Sequence, residues 1–144
     1  MTLEEKKAGL KDKGILLTIQ RSAVLDFLHE NSQHPTAEEI YQSLKGQYPV
    51  LSRATIYNTL DLFKQEGLVQ EIIIERGKAH YDYKVAPHHH FFCRHCGRIY
   101  DVEGEKVCVE LEGQVDGHKT DEARLYIFGT CSSCLREESN AGTP

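Results

Sequence analysis

The chain has no apolar run of the ~18 residues a membrane-spanning helix requires, and its opening, Met1-Thr2-Leu3-Glu4-Glu5-Lys6-Lys7, lacks the apolar segment of a secretory signal. These absences predict a cytoplasmic protein with no membrane partner. No internal repeat or low-complexity segment breaks the 144 residues, a length that can bury a core as one domain or two small ones. Positive charge is also scarce. Seventeen Lys and Arg against 22 Asp and Glu leave a formal charge of −5, whereas a DNA-binding domain is usually basic. The deficit is uneven: Met1 to Val85 holds eleven basic and twelve acidic residues, net −1, and Ala86 onward holds six against ten, net −4. Any DNA-binding face must therefore be a local patch, and bound cations would offset part of the acidity of the second half.

Support for disulfides is missing as well. Five cysteines is an odd number, and four of them stand as Cys93-x-x-Cys96 and Cys131-x-x-Cys134, leaving Cys108 over. That pattern suits metal binding in a reducing compartment. A Cys-x-x-Cys loop turns two sulfurs toward one ion, and two such loops complete a tetrahedral S4 zinc site; the alternative is unliganded or redox-active thiols. The two pairs are separated by 34 residues, so the zinc would staple distant elements together. His95, inside the first loop, reads as exposed.

Metal-ligand side chains crowd most densely from His88 to Asp101. Beside the thiolates stands a different set, His88, His90 and Asp101, suited to iron, manganese, nickel or zinc with a position left open. Residues two apart on an extended segment point to one side, so His88 and His90 can share an ion while His89 faces away. Asp82 lies six residues before His88. His34, just before Pro35, reads equally as a core or capping residue and as a ligand.

The first half carries helix signals in series. Thr18 opens a helical pattern with Val24, Leu25, Phe27 and Leu28 on its apolar side; Thr36 caps a second helix through Leu44; Ser52 caps a third from Arg53 to Glu66, stopped by Gly67. Ile56, Leu60 and Phe63 form the inner face of that third helix, and Arg53, Tyr57 and Asn58 point outward. Two β-like runs, Leu68 to Ile74 and Lys78 to Val85, flank Glu75-Arg76-Gly77 as a hairpin. Three helices and a hairpin predict a winged helix-turn-helix, in which the third helix enters the major groove and Arg76 and Lys78 reach phosphate or the minor groove. After a hinge at Ala86-Pro87, strands are expected over 98–102 and 125–130. A short helix marked by Val107, Cys108, Leu111 and Val115 would end at Gly117, and a polar, frayed tail is expected from Glu137 to Pro144.

Five stretches together resemble the ferric uptake regulator (Fur) family of metal-dependent bacterial repressors, from about Thr18 to Cys134. They are Thr18-x-Gln20-Arg21, His34-Pro35-Thr36-Ala37-x-x-Ile40-Tyr41, Ser52-x-Ala54-Thr55-Ile56-Tyr57-Asn58-x-Leu60, His88-x-His90-x-x-Cys93-x-x-Cys96-Gly97 and Gly129-x-Cys131-x-x-Cys134. The resemblance implies an α+β protein: a winged-helix DNA-binding domain over 1–85 and a small α/β dimerisation domain over 86–144, with Zn²⁺ on Cys93, Cys96, Cys131 and Cys134. It also implies a regulatory Fe²⁺ or Mn²⁺ held by residues matching His34, Asp82, His88, His90 and Asp101. Aspartate at both carboxylate positions is similar to the peroxide-sensing, PerR-like branch, in which iron and hydrogen peroxide oxidise ligand histidines at positions matching His34 and His88, and DNA is released.

The expected protein is thus a homodimeric repressor reading a palindromic double-stranded DNA operator through Gln20, Arg21, Arg53, Tyr57, Asn58, Arg76 and Lys78. An iron-, zinc- or manganese-uptake repressor of the same family is the near alternative. A metalloenzyme is the remote one, since no general base or substrate pocket is evident; a zinc-stapled interaction module would leave the second ligand set without a task. Pro87, Cys108 and Ala123 stand where a further family metal site would want ligands, so that site is expected to be absent. Leu16 stands where many relatives carry a basic residue, and Arg53 is a less usual addition to the third helix.

Overall fold

The computed structural model describes residues 1–75, 77–86, 88–103 and 114–141, and the chain divides into two compact units, Met1–Val85 and Ala86–Pro144.

The lysine-rich lead-in of the first unit proves to be a helix, α1 (Leu3–Asp12). Thr2 caps it, accepting from the Glu5 amide while the Glu5 carboxylate accepts from the Thr2 amide. Three further helices follow, α2 (Ile19–Glu30), α3 (Ala37–Leu44) and α4 (Arg53–Gln65), capped by Thr18, Thr36 and Ser52. Each cap accepts a hydrogen bond from an amide of the first turn, one that the helix itself leaves unpaired. Val24, Leu25 and Leu28 of α2, Ile40 of α3, and Ile56, Leu60 and Phe63 of α4 are all buried in one cluster. Burial of side chains this large contributes about 1.5–3 kcal/mol each, which explains why the expected inner face of α4 is the one observed.

Strands β1 (Gln70–Glu75) and β2 (Lys78–Asp82) pair antiparallel, with Gly77 at φ 77° in their turn. Helices α2 to α4 with this hairpin make the winged helix-turn-helix. The loop before α3 joins the wing: the Tyr81 amide donates to the Pro35 carbonyl at 2.9 Å, and Thr36 forms an isolated bridge with His80.

The second unit is built on a three-stranded sheet in the order β4-β3-β7, from β3 (His89–Cys93), β4 (Ile99–Val102) and β7 (Tyr126–Gly129). Strand β3 runs antiparallel to β4 and parallel to β7. A small hairpin, β5 (Gln114–Val115) with β6 (His118–Lys119), precedes β7. Helix α5 (Ser132–Ala141) closes the unit and runs well past Glu137, where a frayed tail is predicted from polarity. The helix expected to end at Gly117 is corrected at its last marker: Val115 sits in β5, because Asp116 and Gly117, at φ 50° and 80°, form a two-residue hairpin turn. Val107, Cys108 and Leu111 lie outside the described residues, as do Arg76 and Pro87.

Candidate metal centres and nucleic-acid face

The four paired cysteines converge. Cys93 ends β3; the chain turns back at once, with the Gly97 amide donating to the Cys93 carbonyl at 2.9 Å and Gly97 at φ 76°. Cys131 follows β7, and Cys134 lies in the first turn of α5. The parallel register setting Cys93 beside Gly129 brings the two loops together. A Cβ at Gly129 would meet the Phe91 ring at 3.2 Å, closer than ordinary van der Waals contact, so glycine eases this approach.

The Cys93 and Cys134 sulfurs are 3.9 Å apart, and those of Cys96 and Cys131 3.8 Å. Disulfide sulfurs would lie about 2.05 Å apart. Four Zn–S bonds of about 2.3 Å in a tetrahedron separate neighbouring sulfurs by about 3.8 Å, the spacing found. All four sulfurs lie within 4.8 Å of one another. The amides of Cys96 and Cys131 point at the Cys93 sulfur, at 3.5 and 3.3 Å, and hold that thiol below its usual range. The Tyr100 hydroxyl and the Cys134 amide bring the Cys131 thiol down to about 6, while burial pushes the Cys134 thiol up. Two thiols are thus poised to ligate as thiolates, and the donor set fits structural zinc. His95 in this loop is exposed, as expected.

The other predicted ligands form two sets, one in each unit. In the first unit the His34 Nε2 lies 3.3 Å from Asp82 Oδ2, and both residues are buried. The second carboxylate oxygen of Asp82 accepts from the Lys84 amide at 2.9 Å. His34 adopts φ 55°, in the left-handed region that few non-glycine residues enter. The His80 Nδ1–H donates to its carbonyl at 2.7 Å. His80 is a residue that sequence reasoning missed; the available signal was its position two before Asp82, on the same side of the strand.

In the second unit His88 and His90 are buried, with ring centroids 4.5 Å apart. His90 lies directly opposite Asp101 across the β3–β4 pair. Asp101 Oδ1 is 3.1 Å from His88 Nε2 and 3.6 Å from His90 Nε2. His88 donates from Nδ1 to the Ala86 carbonyl at 2.7 Å, which leaves the Nε2 lone pair for a metal. His89 faces away, its Nδ1 accepting from the Leu125 amide. Neutral imidazoles and carboxylates of this kind fit a divalent iron or manganese ion.

The expected DNA-contacting residues fall on three elements of the first unit. Gln20 and Arg21 occupy the first turn of α2 and are half-buried; the Arg21 guanidinium donates to the Leu16 carbonyl at 2.6 Å. Arg53, Tyr57 and Asn58 are exposed on α4, and exposed Lys78 opens β2. Tyr57 and Lys78 line one pocket, together with Gly77 and Glu38. Arg53 is engaged: its Nε and Nη2 each donate to the Glu38 carboxylate at 2.9 Å, and its guanidinium lies 4.4 Å over the Tyr41 ring. Arg53 and the Gln42 amide hold the Glu38 carboxyl at about 2. Arg76 lies outside the described residues.

Among the described residues, no helix is long and apolar enough to cross a membrane. The model of the ferric uptake regulator family matches residues 12–128. The chain is 36% identical over 140 residues to the peroxide operon regulator of Bacillus subtilis, covering 96% of this chain and 97% of that one. It is 39% identical over 142 residues to the peroxide-responsive repressor PerR of Staphylococcus epidermidis, covering 96% and 93%. Among solved structures, PerR from Streptococcus pyogenes is similar at 28% identity and a TM-score of 0.56, covering 92% of each chain. The Fur protein of Helicobacter pylori shares the fold, with a TM-score of 0.72 at 20% identity over 94% of this chain and 95% of that one.

Proposed function

The chain belongs to the ferric uptake regulator family, and from that premise we propose that it is a dimeric, metal-dependent transcriptional repressor that releases its operator when hydrogen peroxide oxidises a ligand histidine. The observation that carries this reading is the aspartate in each half-set, Asp82 with His34 and Asp101 with His88 and His90, beside a separate four-thiol zinc site. Either half-set alone offers too few donors for an iron or manganese ion; joined, they make three imidazoles and two carboxylates with room for a further ligand. Ligands drawn from both units would hold the DNA-reading unit in one posture only while the set is complete.

Bound ferrous iron would supply the chemistry that cleaves the O–O bond of hydrogen peroxide; one oxygen would be added to a ring carbon of His34 or His88, which gives up two electrons, and the other would leave as water. The chain's part is to hold those two buried rings in the set and to lose one as a donor, so that the set comes apart. The same residues would hold manganese, which lacks that chemistry, and the repressor so formed would be insensitive to peroxide. DNA is read with α4 in the major groove through Arg53, Tyr57 and Asn58, with Gln20 and Arg21 on α2, Lys78 on the wing, and Arg76 as a further contact expected from sequence. Two copies present two such faces to the halves of a palindrome in the cytoplasm.

The test loads zinc-containing protein with Fe²⁺ or Mn²⁺ without oxygen, adds a stoichiometric dose of hydrogen peroxide, and follows peptide mass together with operator binding. One added oxygen on the peptide holding His34 or His88, with loss of binding, is expected with iron only. Retained binding with unmodified histidines would move the assignment to a metal-uptake repressor of the same family. Repeated turnover of peroxide by undamaged protein would make it a metalloenzyme.

A further inference from the structure

We propose that His80 is a positioning residue for the His34–Asp82 half-set, acting on the backbone of His34 and not on the metal. This rests on the reading of His34 as a regulatory ligand. His34 stands at φ 55° immediately before Pro35, a place where proline favours extended backbone in the residue before it. Such a conformation is strained for a non-glycine residue and persists only where surrounding contacts over-determine it. Three contacts do so here: the His80 Nδ1–H to the His34 carbonyl, the Tyr81 amide to the Pro35 carbonyl, and the bridge between Thr36 and His80. His80 and Asp82 are two apart on β2, so one face of one strand delivers both a clamp for the His34 backbone and a carboxylate for its ring.

The chemistry of His80 itself points the same way. It is only 6% exposed, and its Nε2 is buried with no hydrogen-bond partner among the described residues. An apolar side chain of similar size would avoid that desolvation. What the imidazole offers in return is one donor, Nδ1, placed on the His34 carbonyl. Groups behind metal ligands commonly change affinity by about tenfold to a hundredfold when removed.

Two amide substitutions separate the donor's position from polarity. His80→Asn places an N–H near the Nδ1 position; His80→Gln carries it one carbon further out, near Nε2. Mn²⁺ binding to zinc-loaded full-length protein is expected to stay within about threefold of wild type in His80→Asn and to weaken by about tenfold or more in His80→Gln. Zinc content and the helical far-UV signal should not change. Equal binding by both variants, weakened or not, overturns the proposal. Hydrogen exchange in the zinc-only protein supplies a readout without the regulatory metal. The Tyr81 amide should exchange faster in His80→Gln and not in His80→Asn. Should wild type take up no Mn²⁺ beyond its zinc, the assigned function falls, while the exchange rates still decide whether His80 holds the His34 loop.

Discussion

Buried polar side chains in the first unit show how individual residues reconcile chemistry with burial. Lys6 of α1 is 2% exposed, yet its ammonium donates to the carbonyls of Leu68 and Tyr83, both at 2.6 Å, and lies over the Tyr83 ring. Tyr81 shows the converse, because burial, reinforced by the Glu71 and Asp61 carboxylates, raises its phenol from 10.0 to about 12. Below pH 10 neither the folded nor the unfolded chain ionises this group, so it leaves stability unchanged there. Between about pH 10 and 12 the unfolded chain gives up a proton that the folded chain keeps, and stability falls as pH rises. Tyr81→Phe should therefore lose stability less steeply over that window, by about 2 kcal/mol at its upper end, in urea unfolding at stepped pH. A wild-type slope matching the variant's would show that Tyr81 ionises normally. Lys6 and Tyr81 could not be singled out from sequence, since what distinguishes them is burial and contacts made far along the chain.

At the scale of elements, the pairing of α3 with α4 sets the side chains at the head of the helix proposed to enter the major groove. The two-pronged bond from Arg53 to Glu38 and its stacking on Tyr41 fix a guanidinium at the start of α4. A cation held this way makes a directed contact; released, it attracts phosphate regardless of sequence. Glu38→Gln is expected to raise affinity for non-operator DNA several-fold, steepen its salt dependence, and narrow the ratio of operator to non-operator binding. An unchanged ratio, measured by fluorescence anisotropy across a salt series, would mean that Glu38 acts only as a repelling charge. The elements that carry function were legible: helices with Thr and Ser caps and 3.6-residue periodicity, the wing around Gly77, and the strands delivering the cysteine pairs. Helix α1 was not, although Thr2 and Glu5 spell a capping box, because its single buried stripe is short and rich in lysine. Val115 was misplaced because Gly117 reads as a helix stop in the sequence, whereas Asp116-Gly117 forms the turn of a hairpin that Val115 enters.

On the scale of the whole molecule, the two units hold themselves together by different means. The first packs aliphatic and aromatic side chains from four helices and a hairpin around one core. In the second, among the described residues, Cys93, Cys131 and Cys134 form a buried cluster with Phe91 and Tyr100 packed against it, beside buried Phe92 and Ile99. The sulfurs that would hold zinc are therefore part of the buried core among the described residues, and a unit this small gains from such a staple. Metal binding free energy there is folding free energy. Removing zinc with a strong chelator, or replacing Cys134 with serine, should abolish slow hydrogen exchange in β3, β4 and β7 while α2, α3 and α4 keep theirs. Operator binding should then be lost even with Mn²⁺ in excess, because His88, His90 and Asp101 lie on strands that no longer have a fixed register. Protection retained in β3 and β7 after complete zinc removal would show that the sheet stands without its metal. The cluster would then have to serve a purpose other than structure, such as thiol chemistry at Cys93 and Cys131, whose thiols are already held low.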